Sequence, residues 1–183
     1  MDAPCGLEGE SWIVVGSVGE SAAVLRSDDG VAWRQESLPG ADPTDGIDYV
    51  SAHQVVVGRW ATLVLGEDSP PCDDDPDWCG HWQAAWSWTA ATGWQRLTRD
   101  VHLVRGAHGV RVWAAGDAGF VTDDLDGLMT SPDGWSWTPV ATTTRPSALI
   151  EDLVVDGDRV VAAGSPLDGE TLDAWFGLGT ISR

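Results

Sequence analysis

A seven-residue pattern, Ser-x-Asp-Gly-x-x-Trp, occurs twice in this sequence and constrains the fold more than any other feature. Asp-Gly favours a tight hairpin because both residues tolerate positive φ, and the Ser and Asp side chains can accept hydrogen bonds from N–H groups that the turn leaves unpaired. The Trp can then cover the turn. The repeat predicts two equivalent hairpins. Their residues are Ser27, Asp29, Gly30 and Trp33 in the first, and Ser131, Asp133, Gly134 and Trp137 in the second.

Four short apolar runs, each closed by a glycine, extend the repeat along the chain. The glycines are Gly16, Gly58, Gly116 and Gly164, at intervals of roughly 40 to 60 residues, which is the length of a four-stranded propeller blade. The runs are too short and too interrupted by glycine to form helices. We therefore predict one all-β domain over residues 1–183, a β-propeller of about four units. The units span roughly 10–45, 46–99, 100–147 and 148–183.

The seven-residue pattern resembles the Asp-box (BNR) repeat of sialidase-like β-propellers, which usually reads Ser-x-Asp-x-Gly-x-Thr-Trp. Here one residue between Asp and Gly is missing, and Ala32 or Ser136 stands in place of Thr, so tighter turns are expected. The resemblance implies that each turn joins the third and fourth strands of a blade, on the face opposite the ligand site. It therefore implies a structural role for both turns.

The two ends of the chain do not complement each other in this scheme. The first unit shows no inner strand and the last unit no outer strand, so the ends cannot complete one shared blade. Three alternatives follow: a segment of a longer propeller, a half-ring that closes as a homodimer, or an irregular small ring. An open ring would expose an apolar face, and such faces associate.

The charge of the chain restricts its partners. It has 29 acidic and 10 basic residues, a formal net charge of −19 at pH 7, so binding to a phosphate backbone is unfavourable. No apolar run is long enough to predict a membrane span. The expected partner is a protein, a saccharide or a cationic small molecule. Every basic residue is Arg, and Lys and Asn are absent. Because both missing residues have AT-rich codons, we expect a high-GC bacterial source.

The loops between second and third strands form the predicted ligand face. Residues 67–77, 117–126 and 168–173 hold thirteen of the 29 acidic residues and no Arg. Crowded carboxylates favour a bridging cation such as Ca²⁺, but the spacing matches no EF-hand loop, so we assign neither a metal site nor a cofactor. An aromatic residue among carboxylates suits a sugar or a cationic group. The predicted ligand-binding residues are Trp78, Asp73, Asp74, Asp75, Asp77, Asp123, Asp124 and Asp126.

Cysteine use bears on the compartment. Cys72 and Cys79 bracket one acidic loop, and Cys5 makes the count odd. We predict a disulfide between Cys72 and Cys79 in an exported protein, with free thiols as the alternative. Their spacing, even with His81 nearby, does not suit structural zinc. The first residues of the sequence show neither the basic region nor the apolar region of a signal peptide. We expect an extracellular or cell-surface protein whose leader is absent from this chain, with a cytoplasmic location as the alternative.

No catalytic constellation is recognisable. The sialidase resemblance would imply an arginine triad, a Tyr nucleophile and an Arg-Ile-Pro motif, but Tyr49 is the single tyrosine and the motif is missing. Carboxylates near the starts of inner strands are the nearest candidates for a paired-carboxylate glycosidase: Asp48, Asp100, Glu151 and Asp152. We predict a non-catalytic binding or scaffolding module, not an enzyme. The alternatives are a glycoside hydrolase of the sialidase-like class and a purely structural repeat of a larger secreted protein.

Overall fold

The computed structural model confirms the all-β prediction. It describes residues 5–8, 11–44, 46–70, 82–97, 111–124, 127–140, 148–156, 159–166 and 175–180. These residues form fifteen strands with their turns and one 3-10 turn, Gly116–Ala118, and the strands pair into four antiparallel sheets.

Each sheet is a meander in which consecutive strands are neighbours. Sheet 1 contains β1 (Cys5–Glu8), β2 (Ser11–Val18), β3 (Ser21–Ser27) and β4 (Arg34–Glu36). Sheet 2 contains β5 (Tyr49–Val57), β6 (Thr62–Ser69), β7 (Trp82–Thr89) and β8 (Gly93–Arg96). Sheet 3 contains β9 (Val112–Ala114), β10 (Phe120–Asp124), β11 (Gly127–Ser131) and β12 (Thr138–Pro139). Sheet 4 contains β13 (Ala148–Asp156), β14 (Arg159–Pro166) and β15 (Trp175–Thr180).

The sheets stack face to face in chain order through three apolar cores. In β2, Ile13 and Val15 face sheet 2, because side chains alternate along a strand. Sheets 2 and 3 meet around Leu63, Leu65 and Phe120, and sheets 3 and 4 around Val121 and other apolar residues. The first strands of consecutive sheets contact one another, β1 with β5, β5 with β9 and β9 with β13. This order of sheets around adjoining inner strands is propeller-like.

Each sheet has two distinct ends. In the three four-stranded sheets, the connection between third and fourth strands lies at one end, which we call the turn end. In all four sheets, the second and third strands are connected at the other end, the loop end. The turn ends of the first three sheets lie on the same side of the stack. The Arg26 guanidinium of sheet 1 lies over the Trp88 ring of sheet 2, and the Ser87 hydroxyl of sheet 2 donates to the Asp133 carbonyl of sheet 3.

Two details differ from the sequence expectation. Strand β1 pairs with β2 and gives the first sheet the inner strand that its sequence did not reveal. The four landmark glycines are also not equivalent, because Gly16 and Gly164 lie within second strands, whereas Gly58 and Gly116 follow first strands. Sheet 4 has three strands among the described residues. The number of blades and the unit boundaries stay predictions.

Candidate functional site

The turn of sheet 1 is held by side chains of its own motif. The Ser27 hydroxyl accepts from the Gly30 N–H at 2.9 Å and donates to Asp29 Oδ1 at 3.0 Å. Asp29 Oδ1 also accepts from the N–H groups of Val31 and Ala32, each at 2.8 Å. Gly30 has φ of 73°. The motif therefore satisfies the N–H groups of Gly30, Val31 and Ala32 from within its own sequence.

Sheet 3 repeats this arrangement. The Ser131 hydroxyl accepts from the Gly134 N–H at 2.8 Å, and Asp133 Oδ1 accepts from the Trp135 N–H at 2.9 Å and the Ser136 N–H at 3.3 Å. The Trp137 indole N–H donates to the Gly134 carbonyl at 2.9 Å. Both turns join the third and fourth strands of their sheets, as the resemblance implied. Their purely structural role stays a prediction.

Sheet 2 builds the corresponding turn with other residues. Between β7 and β8, Thr89 Oγ1 accepts from the Thr92 N–H at 3.2 Å, and Gly93 takes φ of 66°. A threonine hydroxyl thus replaces serine, and the aspartate has no equivalent.

The environment of Asp29 stabilises its charged form. The N–H groups of Ala32 and Val31, and then the Ser27 hydroxyl, lower the pKa of the Asp29 carboxyl below its ordinary value. The folded turn therefore favours the ionised form of this carboxylate.

Much of the predicted ligand face lies outside the described residues. This holds for Trp78, Asp73, Asp74, Asp75, Asp77 and Asp126, and for the Cys72–Cys79 pair. Asp123 and Asp124 are the last two residues of β10, at the loop end, and the Asp123 side chain is half-buried. The strands that flank residues 71–81, 125–126 and 167–174 all end at the loop ends of their sheets. The topology thus agrees with the expected connections, while the ligand-binding role of these residues stays untested.

Three further acidic residues counted with those loops lie outside the connections themselves. Glu67 and Asp68 belong to β6, and Asp68 is buried and ion-paired with Arg96, whose Nη2 lies 2.6 Å from Asp68 Oδ1. Asp117 lies in the 3-10 turn between β9 and β10, at the turn end, and pairs with Arg59. The acidic loop face is therefore smaller than the sequence suggested, because opposite charges distant in sequence reach two of these carboxylates.

The inner strands carry a polar cluster that the motifs did not reveal. The register of β5 shifts between Ala52 and Gln54, and that of β13 shifts between Ile150 and Asp152. Each shift leaves one extra residue, His53 in β5 and Glu151 in β13, and both side chains are exposed. A bulge re-aims side chains and occurs preferentially near functional sites. Together with neighbouring residues of β5, β9 and β13, and with Arg111 directly before β9, these residues form the inner-strand cluster: His53, Gln54, Arg111, Trp113, Glu151 and Asp152.

Hydrogen bonds connect this cluster across three sheets. Gln54 Nε2 donates to the Val112 carbonyl at 2.9 Å, and Arg111 Nη1 donates to the Glu151 carbonyl. The Trp113 indole N–H donates to Asp152 Oδ1 at 3.2 Å. These contacts fix the inner strands relative to one another.

Both carboxylates of the cluster are oriented by donors but remain exposed. The Ser165 hydroxyl donates to Glu151 Oε1, and Asp152 Oδ1 accepts from the Leu153 N–H at 2.8 Å. Each carboxylate has further lone pairs, since an ionised carboxylate offers about four acceptor sites. Exposed acceptors beside the Arg111 guanidinium and the half-buried Trp113 can bind a ligand that offers hydroxyl or amine groups.

Sequence reasoning identified only part of this cluster. It considered Glu151 and Asp152 as glycosidase candidates, together with Asp48, which is exposed at the start of β5, and Asp100, which lies outside the described residues. It missed His53, Gln54, Arg111 and Trp113. One signal was available, since Gly66 and Gly164 lie opposite the two bulges. A glycine within a strand often marks a bulge or a close backbone approach, and a Cβ at Gly66 would lie 1.9 Å from the Ser51 carbonyl oxygen.

Within the described ranges, no three His, Cys, Asp or Glu side chains are grouped so that they could hold a metal ion. The described segments also contain no helix long and apolar enough to span a membrane.

Comparisons with known proteins show no family. No family model and no curated protein matches the sequence. One solved structure that it resembles is described as "The GH130 family of mannoside phosphorylases contains glycoside hydrolases that target beta-1,2 mannosidic linkages in Candida mannan". The identity is 12% and the TM-score 0.41, over 97% of this chain and 65% of that chain. The resemblance to Asp-box repeats stays a prediction.

The expectation that the chain is not an enzyme is corrected by this comparison. That structure is described as one of a family of mannoside phosphorylases that contains glycoside hydrolases, and the non-catalytic interpretation is not retained. The likeness itself assigns no activity to this chain.

Proposed function

We propose that this protein binds a saccharide at the inner-strand cluster. The observation that carries the proposal is the pair of exposed carboxylates, Glu151 and Asp152, each oriented by a hydrogen bond on a bulged inner strand. Neighbouring sugar hydroxyls suit charged acceptors of this kind, and hydrogen bonds to charged groups are stronger than neutral ones.

Two neighbours complete the recognition chemistry. Arg111 donates to the Glu151 carbonyl through Nη1. A guanidinium has five N–H donors, so others remain for a ligand oxygen. Trp113 supplies an aromatic surface beside Asp152, and aromatic rings with a few convergent polar groups are typical of small-ligand sites.

The acidic loops form the outer part of the proposed surface. Glu151 lies in the half of β13 nearer the loop end, and His53 lies at the middle of β5. Residues 71–81 and 167–174 connect strands at the loop ends of these two sheets. Trp78 and the loop carboxylates would then contact the parts of a longer ligand that extend beyond the inner strands. Replacing Trp78 with Ala is expected to weaken binding without changing the free energy of unfolding. A purely structural role would give unchanged affinity.

The test is calorimetric titration with gluco-, manno-, xylo- and galacto-oligosaccharides. Glu151→Ala and Asp152→Ala are each expected to lower the affinity for the bound sugar roughly 10-fold or more, because each removes a hydrogen bond to a charged group. Asp156→Asn is the matched control, since Asp156 is an exposed carboxylate on the same strand but outside the cluster. Absence of binding to every sugar by the folded protein would contradict the proposal.

A hydrolytic activity can be tested with the same variants. Fluorogenic glycosides of the bound sugar class report turnover directly. Turnover that disappears in Glu151→Gln or Asp152→Asn, but persists in Asp156→Asn, would extend the proposed function from binding to glycoside hydrolysis.

A further inference from the structure

The interface between sheets 2 and 3 shows how one sheet of this chain receives the turn of the next. A Cβ at Gly134 would lie 2.3 Å from Leu63 Cδ2, so the turn of sheet 3 packs directly on β6. Phe120 packs against Gly58, where a Cβ would lie 2.9 Å from its ring. Trp135 and Trp137 pack against the same core. We call the sheet 3 side of this interface the donor side: it consists of an aromatic residue on the second strand and the Ser-x-Asp-Gly turn. The sheet 2 side that they cover is the receiving side.

Sheet 1 presents the same donor side, and no described part of the chain provides its receiver. Trp12 pairs with Ser27 as Phe120 pairs with Ser131, so Trp12 occupies the position of Phe120. Trp12 is 42% exposed, whereas Phe120 is fully buried. Within the motif, Val31 and Trp33 correspond to Trp135 and Trp137, and they are 82% and 41% exposed.

Sheet 4 presents the receiving side, and the described segments contain no donor for it. Val154 is the third residue after the bulge residue of β13, as Val56 is the third after the bulge residue of β5. Their partners on the second strands, Val161 and Leu63, are therefore equivalent as well. In sheet 2 these residues are 8% and 0% exposed, because sheet 3 covers them. In sheet 4 Val154 is 61% and Val161 47% exposed.

We propose that a second copy of this chain supplies the missing contact. The turn and Trp12 of sheet 1 in one copy cover Val154 and Val161 of sheet 4 in the other, and the reciprocal contact closes the pair. A second copy is expected because the sheet 2–sheet 3 interface shows that the donor side and the receiving side fit each other. The same chain carries one uncovered example of each at equivalent positions. A head-to-tail contact of this kind closes when the rotation between the copies permits it, and two reciprocal contacts satisfy both free faces.

The test measures the native mass by light scattering after size exclusion. Wild-type protein is expected to have the mass of two chains. Val31→Arg changes only the donor side and Val154→Arg only the receiving side, and both side chains are exposed enough to be replaced without disturbing the cores. Each variant alone is expected to be monomeric. Trp60→Arg is the matched control, because Trp60 is 61% exposed but lies in the β5–β6 turn outside the proposed contact.

Mixing the two variants distinguishes this contact from other associations. Val31→Arg retains an intact receiving side and Val154→Arg an intact donor side, so a mixture can form one of the two contacts. An association restored by mixing, with a dissociation constant at least 10-fold higher than that of the wild type, supports the proposal. Monomeric wild-type protein would overturn it. So would variants that remain dimeric, or a mixture that remains monomeric while each variant is folded.

Discussion

Asp29 illustrates how a short motif acts at the scale of single residues. Because turn N–H groups lower the pKa of its carboxyl, the folded state binds fewer protons near that pKa than the unfolded state does. The contribution of Asp29 to stability is therefore complete above the ordinary carboxyl pKa of about 4 and is lost as the pH falls through the lowered value. Urea unfolding of wild-type protein and Asp29→Asn is expected to show a difference at neutral pH that shrinks in acid. A difference that stays constant with pH would contradict this account.

Gly134 is constrained by both its backbone and its neighbour. Its φ is 84°, which costs an L residue about 1 kcal/mol, and a Cβ would meet Leu63. Overpacking a core adds roughly 1–3 kcal/mol. Gly134→Ala is therefore expected to lower the free energy of unfolding by about 2–4 kcal/mol. Gly19→Ala is the matched control, since Gly19 has φ of 64° with no atom near the added Cβ. Equal losses in urea titrations would refute the packing contribution.

The turn residues could be predicted and the inner-strand residues could not, for a physical reason. Ser27 and Asp29 hydrogen-bond within three residues of themselves, so the seven-residue pattern contains the whole interaction. Arg111 acquires its role from Glu151, forty positions away, through the pairing of separate sheets. A pattern of neighbouring residues therefore cannot predict the contact between Arg111 and Glu151.

At the scale of strands, the Asp68–Arg96 pair tests what a buried ion pair contributes within sheet 2, where it joins β6 to β8. Arg96 pairs with the buried Asp68, donates to the Gly40 carbonyl and lies over the Trp86 ring. Removing it leaves a carboxylate largely buried without its counter-charge.

Arg96→Ala is expected to lower the free energy of unfolding by about 3 kcal/mol, the lower end for a buried pair, because the Arg96 side chain is partly exposed. Arg34→Ala provides the control, because Arg34 and its partner Asp28 are both mostly exposed, and such pairs contribute less than about 1 kcal/mol. Urea midpoints of the two variants measure the contrast. A loss of similar size in both would show that burial does not strengthen the Asp68–Arg96 pair.

Strands were predictable where their sequence alternates or is uniformly apolar, and not where pairing alone defines them. The apolar run that ends at Gly16 lies within β2. Strand β1, with the sequence Cys-Gly-Leu-Glu, has no distinctive pattern and is defined by its register with β2. The bulges at His53 and Glu151 likewise depend on how two strands align, which is a property of the pair.

At the scale of the whole molecule, the number of faces of a sheet that neighbouring sheets cover should determine which sheet unfolds locally first. In β6, Val64 faces sheet 1 while Leu63 and Leu65 face sheet 3, and all three are fully buried. In β14, Val160 is buried against sheet 3, but Val161 is exposed. Both strands are hydrogen-bonded on both sides, so a difference between them reports packing instead of edge effects.

Amides of β6 are therefore expected to exchange with deuterium at least 10-fold more slowly than those of β14 in dilute protein, because opening β6 disrupts two cores and opening β14 only one. Hydrogen-exchange mass spectrometry at several protein concentrations measures both strands in one experiment. If a second copy covers Val154 and Val161, exchange in β14 should slow as the concentration rises while β6 changes little. Equal rates in the two strands at the lowest concentration would contradict the dependence on covered faces. A rate in β14 that does not change with concentration would argue against the second copy.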